Sequence, residues 1–296
     1  MTYHPRKNLL FLFISIIKRG FHLIFTEGLF APLRKISEFL GGVFGSKPLN
    51  VNQTRVALGD RLERQLGVRS VQHGAFRGMQ LSRLSGWNRT DIPSMLLGMY
   101  EQEVVEYLAK LPARSRETFV NIGAGEGYFA IGMLHAKLTS RTICFEMSDR
   151  GREAIKDAQS LNRIGGNLTL FGTADEKFLD VIEGVDSFGY HSSVFLIDVE
   201  GAEVQLLTDT RLQRMALATI VIETHATMVS EQDQSKFEEL CSKYHCVSEI
   251  RTEERNPSQF SELEFWSDND RWAICSEGRP QRGRWLILSP KSNQTT

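Results

Sequence analysis

Cysteine is scarce and carries no pattern: Cys144, Cys241, Cys246 and Cys275 include no CxxC pair, and the nearest two, Cys241 and Cys246, stand five apart. This spacing speaks against a thiolate zinc site or a dithiol redox motif and for reduced thiols in a cytoplasmic setting. No metal-ligand set is expected. An excess of either charge is also missing. With 35 Lys and Arg against 36 Asp and Glu the formal net charge is -1, so no global field draws the chain to nucleic acid. The one long apolar run, residues 9–17 (LLFLFISII), falls well short of the roughly 20 residues a helix needs to cross a bilayer. Basic residues bracket it and no small-residue cleavage site follows, so a secretory leader is not expected. There is no internal repeat and no low-complexity tract.

Residues 9–35 carry Phe21, Ile24, Phe25, Leu29 and Phe30, with Lys18, Arg19, Arg34 and Lys35 interleaved. Amphipathic helices of this kind lie on membrane surfaces, which would give peripheral membrane association; a helical extension packed on the domain or on a second subunit of an oligomer explains the pattern equally. The expected organisation is a helical arm at 1–48, closed by the glycine-rich stretch 41–50, then a connector at 49–90, a main domain at 91–290 and a disordered tail at 291–296. Within the connector, 72–81 is a weak candidate for a strand pair. From 92 to 111 apolar residues recur at helical spacing, broken near Gly98. Beyond 118 strands and helices alternate: strands at 118–122, 142–146, 168–171, 194–198 and 218–223, and helices at 126–138, 150–162, 176–182, from 202, and 231–243. Such alternation predicts an α/β fold, a doubly wound, Rossmann-like parallel sheet with helices on both faces. Two further strands at 245–250 and 284–288 are expected to pair antiparallel at an edge, separated by the polar stretch 251–283.

The chain is organised around TFVNIGAGEGY at 118–128, where a short apolar strand opens into Gly123, Gly125 and Gly127. Glycine there permits backbone angles closed to other residues and lets main-chain amides approach a ligand. Ligands of doubly wound sheets sit at the carboxyl ends of the strands, and several of those ends are acidic. Glu146 lies 19 residues after Gly127 (146 minus 127), where an acid accepts both hydroxyl protons of a ribose. Asp175 follows the third strand, and Asp198 and Glu200 end the fourth. A dinucleotide fingerprint, GxGxxG, would need glycine at 128, where this chain has Tyr128. The GxGxG form instead resembles the first motif of S-adenosylmethionine-dependent methyltransferases, and Asp175 is placed to accept from an adenine amino group.

The segments FLIDVEGAE at 195–203 and IVIETH at 220–225, taken with NIGAGEGY and with LGMYE at 97–101, resemble the FkbM family of methyltransferases over roughly residues 95–250. The chain departs from that family's pattern at Asn121, usually aspartate, and after Glu146, where a proline normally stands. The resemblance implies a class I methyltransferase fold, S-adenosylmethionine as cofactor and methyl transfer to an oxygen of a small molecule or glycan. The cofactor-binding residues expected are Gly123, Ala124, Gly125, Glu126, Gly127, Tyr128, Glu146, Asp175, Asp198 and Glu101. Asp198, Glu200 and His225 are the catalytic candidates, since a hydroxyl acceptor needs a base. Each has a plainer reading: His225 as a structural hydrogen-bonding histidine, Glu101 as a solvated helix residue, and the neighbouring Glu203 as a helix cap. Trp266, Trp272 and Trp285 line an acceptor pocket or belong to the core. A binding protein that kept the fold without turnover, and a nicotinamide oxidoreductase, are the rival functions.

Overall fold

Four buried runs rich in β-branched and aromatic residues, with a fifth, half-buried run at the rim, form a parallel sheet, as apolar strands covered by helices must. The computed structural model describes residues 51–84, 89–225, 230–279 and 281–291, all within one compact unit; the arm expected at 1–48 and the tail beyond 291 lie outside them. With the helices numbered in chain order, α1 (Val51–Leu66), α2 (Ile92–Leu97) and α3 (Gln102–Lys110) precede β1 (Thr118–Ile122). There follow α4 (Tyr128–His135), β2 (Arg141–Phe145), α5 (Asp149–Leu161), β3 (Leu168–Phe171), α6 (Phe178–Glu183) and β4 (Ser193–Ile197). The chain continues through α7 (Glu203–Leu206), α8 (Asp209–Arg214), β5 (Thr219–Glu223), α9 (Glu231–Tyr244), β6 (His245–Arg251), α10 (Asp268–Cys275) and β7 (Arg284–Pro290).

Among the described residues the strands make one 7-stranded sheet in the order β3-β2-β1-β4-β5-β7-β6. The first five run parallel, and β7 runs antiparallel to both β5 and β6. This is a doubly wound, Rossmann-like sheet, with the order reversing between β1 and β4. Alternate side chains divide the core: Phe119, Val194, Leu196, Val221 and Ile287 enter one layer, while Val120, Ile122, Phe195, Ile197 and Ile220 enter the other. The last two strands pair antiparallel at one edge of the sheet, as expected, with β6 outermost and β7 between it and β5. Trp285, Leu286, Ile287 and Leu288 are all buried and need cover on both faces, whereas β6 exposes Cys246 to Glu249 and suits the rim.

Local chemistry explains where the elements depart from their expected bounds. Gly98, with φ 73°, caps α2 and divides the helical stretch 92–111. Gly127, with φ 84°, holds back α4 until Tyr128. The helix expected from 202 splits at Leu207 and Thr208 into α7 and α8. α10 lies in the polar stretch assigned no element; its signal is Ser267, whose side chain accepts the Asp270 amide as an N-cap. Residues 72–81 form no strand pair, only an antiparallel bridge between Ser70 and Gln80. This part of the chain nevertheless supplies Leu58, Leu62, Val71, Phe76 and Met79 to the core. Arg55 is buried within it, donating from Nη2 to the Thr90 carbonyl at 2.7 Å and to Ser94 Oγ at 3.2 Å, so it fastens α1 to α2. No helix among the described residues is long and apolar enough to cross a membrane.

At the centre of the sheet β1 and β4 run side by side, and the Asp198 amide donates to the Ile122 carbonyl at 2.9 Å. A Cβ placed on Gly123, whose φ is 79°, would lie 1.6 Å from the Asp198 carbonyl oxygen; one placed on Gly125, at φ 54°, would meet nothing within 4 Å. Both alanine variants incur left-handed strain of about 1–2 kcal/mol, but only Gly123→Ala also forces β1 and β4 apart. The expected outcome in urea unfolding is a far lower midpoint for Gly123→Ala than for Gly125→Ala, and comparable midpoints would refute the close approach.

Candidate functional site

Strand order reverses between β1 and β4, and the crevice of a doubly wound sheet opens at that reversal, beyond the carboxyl ends of the strands. The turn after β1 lies on its lip. Gly123, Gly125 and Gly127 all have positive φ, and the Gly125 amide donates to Glu146 Oε2 at 2.8 Å. The other oxygen of Glu146 accepts the Ser148 amide, also at 2.8 Å. The expected partners Gly125 and Glu146 are therefore in direct contact, and each carboxylate oxygen keeps further lone-pair capacity. The open space on the Cβ side of Gly125 leaves room for a ligand against bare backbone.

Other members of the expected donor set are placed differently. Ala124 is buried. Tyr128 is buried too, its ring edge-on to Phe76 at 5.4 Å and to Tyr100 at 5.3 Å, in the core beneath the turn. Glu126 is half-buried within the turn itself. Asp175 is exposed and accepts the Lys177 amide at 2.8 Å within its own loop, apart from the other candidates. Of the tryptophans, Trp285 and Trp266 are buried core residues and Trp272 is exposed.

The β4 and β5 ends converge on His225. Its Nδ1 lies 2.8 Å from Glu203 Oε1, which also accepts the Gly201 amide at 3.0 Å. The Glu203 carboxyl is buried, which alone would raise its pKa, but these bonds hold it below the ordinary value. An ionised carboxylate only accepts, so Nδ1 carries a proton and Nε2 is the nitrogen turned to the crevice. Nε2 stands 3.4 Å from Glu200 Oε2, 3.6 Å from Asp198 Oδ1 and 4.0 Å from Glu223 Oε2. Asp198, Glu200 and His225 each bring one possible ligand atom within 4.8 Å of the other two. Burial lowers the affinity of the imidazole for a second proton, yet the Glu203 bond and the charges of Glu223 and Asp198 outweigh it and lift the pKa to about 9. Asp198 moves the opposite way from an ion-paired acid: burial first, then Glu223 and Glu101, hold it well above the carboxylate range. Its side chain is 25% exposed, but Oδ1 itself is shielded from solvent and has no hydrogen-bond partner.

Arg279 was not among the sequence candidates, nor was Glu277 or the strand-ending Glu223. The Arg279 guanidinium donates to Glu101 Oε1 and Glu223 Oε1, and its Nε reaches Glu277 Oε2 at 3.1 Å. Glu101, 1% exposed, takes a left-handed φ of 45° at the start of α3 and is no solvated helix residue. Its Oε2 is buried without a partner. Burial and then Glu223 hold its carboxyl well above the ordinary value, against the pull of Arg279. Glu277 also takes Arg255 at 3.0 Å, and Arg255 pairs with Glu103. No spacing rule links residue 279 to residue 101: Glu101 was a cofactor-binding candidate in LGMYE at 97–101, whereas Arg279 lies in the polar stretch 251–283, to which no element was assigned.

No protein-family model and no curated protein matches this chain. Among solved structures it is similar to precorrin-6Y C5,15-methyltransferase from Geobacter metallireducens, at 16% identity and a TM-score of 0.43, over 66% of this chain and 91% of the other. The C-terminal domain of the Rhodobacter capsulatus precorrin-6Y C5,15-methyltransferase is similar over 62% of this chain and 84% of its own, at 16% identity and a TM-score of 0.37. The Methanococcus jannaschii fibrillarin pre-rRNA processing protein aligns over 61% of this chain and 70% of its own, at 11% identity and a TM-score of 0.37.

Replacing Arg279 by methionine leaves Glu101 and Glu223 buried without their cation. Removing one partner of a buried pair typically costs about 3–5 kcal/mol; the partial exposure of Arg279, 27%, puts the expected loss at the lower end, read from guanidinium unfolding at neutral pH. The sign of its pH dependence follows from Glu101. A carboxyl whose native pKa exceeds the unfolded one destabilises the fold when charged, so the deficit shrinks as pH falls from that raised value towards about 4.3. A deficit that grew on acidification would contradict the arrangement.

Proposed function

We propose that this chain is an S-adenosylmethionine-dependent methyltransferase of the FkbM type that methylates an oxygen of a small molecule or glycan. The observation that carries the reading is the meeting of an open glycine turn and a buried acid at the strand-order reversal: the Gly125 amide on Glu146, with unfilled space on the Cβ side of Gly125. Such a surface suits a ligand with a ribose and no pyrophosphate. Glu146 has lone pairs left for ribose hydroxyls, and the bare backbone of Gly123–Gly127 is open to the ligand; Asp175, bonded within its own loop, supplies no observed support for the adenine end. S-adenosylmethionine supplies an electrophilic methyl on a cationic sulfur, which neighbouring carboxylates favour.

On the acceptor side, the reaction requires a hydroxyl oxygen in line with the methyl carbon and a destination for its proton. The oxygen lone pair forms the new C–O bond while the C–S electron pair stays on sulfur, giving a neutral thioether, and the hydroxyl proton leaves to a base. Asp198, between turn and His225, is placed to touch both sides. Its raised proton affinity is the property of a base rather than of a permanently charged anchor. Glu203 fixes the His225 ring, so that Nε2 and Glu200 face the same space. Positioning supplies the larger share of such a transfer, which needs mainly alignment of three atoms.

Calorimetry with S-adenosylmethionine and S-adenosylhomocysteine tests the reading: saturable binding of both is expected, and binding of neither, or of a reduced nicotinamide dinucleotide instead, overturns it. Gly125→Ala, whose methyl enters the ligand space, is expected to weaken donor binding at least tenfold, about 1.4 kcal/mol, while circular dichroism stays unchanged. Asp198→Asn is expected to lower turnover by about 100-fold or more with a smaller change in donor affinity. Equal losses in both would confine Asp198 to donor binding.

A further inference from the structure

We propose that Asp198, Glu200 and His225 bind a divalent first-row metal cation, through Oδ1, Oε2 and Nε2 respectively. This departs from the sequence expectation of no metal, which considered thiolates and not this set. Metal–ligand bonds of about 2.0–2.2 Å put neighbouring donors roughly 3–3.5 Å apart. The separation of Nε2 from Glu200, 3.4 Å, falls at that spacing and that from Asp198, 3.6 Å, lies just beyond it, and neither is short enough to be a good hydrogen bond.

Two independent observations point to a ligand rather than to a bare cluster of acids. The first is the outer bond on His225. A metal-binding histidine almost always donates its other ring N–H to a carboxylate or carbonyl, which fixes the tautomer and aims the free nitrogen at the ion. The Nδ1 contact with the buried Glu203 carboxylate at 2.8 Å is that bond, and Glu203 is itself fixed by the Gly201 amide. The second is unsatisfied oxygen. Asp198 Oδ1, the atom facing Nε2, is shielded from solvent with no hydrogen-bond partner. Buried polar atoms without partners are uncommon and call for an occupant. Glu200, 60% exposed, leaves the outer face open to water or a hydroxyl oxygen.

Two carboxylates and one imidazole make a donor set suited to Mn²⁺, Fe²⁺ or Zn²⁺ more than to an all-oxygen ion such as Ca²⁺. With this site filled, a hydroxyl bound on the open face loses its proton more readily, His225 acts as a ligand rather than a base, and Asp198 keeps only Oδ2 to receive the proton. That consequence rests on the methyl-transfer reading; the binding of the cation does not.

The competing arrangement is a protonated His225 ion-paired with the same carboxylates, which needs no metal. Full-length protein stripped with a chelator and dialysed is titrated with Mn²⁺, following the electron paramagnetic resonance signal of the free aquo ion. Loss of signal corresponding to one ion per chain is expected. Glu200→Gln, an exposed position that leaves folding intact, is expected to weaken binding at least tenfold, and Glu203→Gln by about 10–100-fold through the ring it orients. No loss of signal up to millimolar Mn²⁺, or the same loss in both variants as in the parent, overturns the proposal. Donor calorimetry on the stripped protein separates the two readings: S-adenosylmethionine binding without Mn²⁺ binding removes the metal alone, and the reverse removes methyl transfer alone.

Discussion

The constraint on which the crevice depends is the neutralisation of buried carboxylates by one guanidinium. Glu101 precedes β1 in the chain, Glu223 ends β5, and Glu277 lies on the approach to β7, yet all three bond Arg279. Without a shared cation these side chains could not be enclosed together, since an unpaired ion in the interior costs several kcal/mol. The network therefore fixes how the segment before β1 and the segment after α10 close over the carboxyl end of the sheet. It also sets the electrostatics of what lies beside it. Arg279 and Arg255 do not balance the carboxylates at hand: burial first, then neighbouring negative charge, raises the proton affinity of Glu101 and Asp198, and the Glu203 bond with that same charge raises that of His225 against its burial.

The two halves of the crevice differ in kind: on the β1–β2 side, backbone amides and one buried acid offer a hydrogen-bonding rim with open space, while on the β4–β5 side four carboxylates surround a single imidazole. The first half suits a neutral, hydroxylated ligand laid along the chain. The second suits positive charge, whether on sulfur or on a metal ion. Gly123 joins them, because the backbone of β4 passes where its side chain would be.

Much of the fold was legible because parallel strands buried on both faces leave an unmistakable trace of consecutive β-branched and aromatic residues. β1, β2, β4 and β5 begin and end within a residue of their expected bounds for this reason. The strand order was not legible in the same way. Whether β7 lies at the rim or beside β5 depends on which strand has both faces apolar, and RWLIL shows that only when compared with the solvent-facing residues of β6. α10 was missed because its capping serine sits in a stretch that is polar throughout, where periodicity is weak. In the site, the glycine turn and Glu146 were readable from a spacing that the βαβ unit imposes. Asp198, Glu200 and His225 were readable as strand-end residues on adjacent strands. Arg279 was not, since its partners lie 178 and 56 residues away and no local pattern encodes such a pairing.

By itself the sequence determined what local chemistry controls: the period of each element, the positive-φ glycines of the turn, and the polar character of the strand ends. Only the tertiary structure decided the rest: that Tyr128 belongs to the core and not to the rim, that Glu203 aims the ring of His225, and that Asp198 keeps an oxygen buried and unpaired. The physical reason is that hydrogen bonding to the backbone and hydrophobic periodicity act between near neighbours in the chain, whereas the ionisation state and orientation of a buried side chain are set by whichever groups the fold brings within a few ångströms of it.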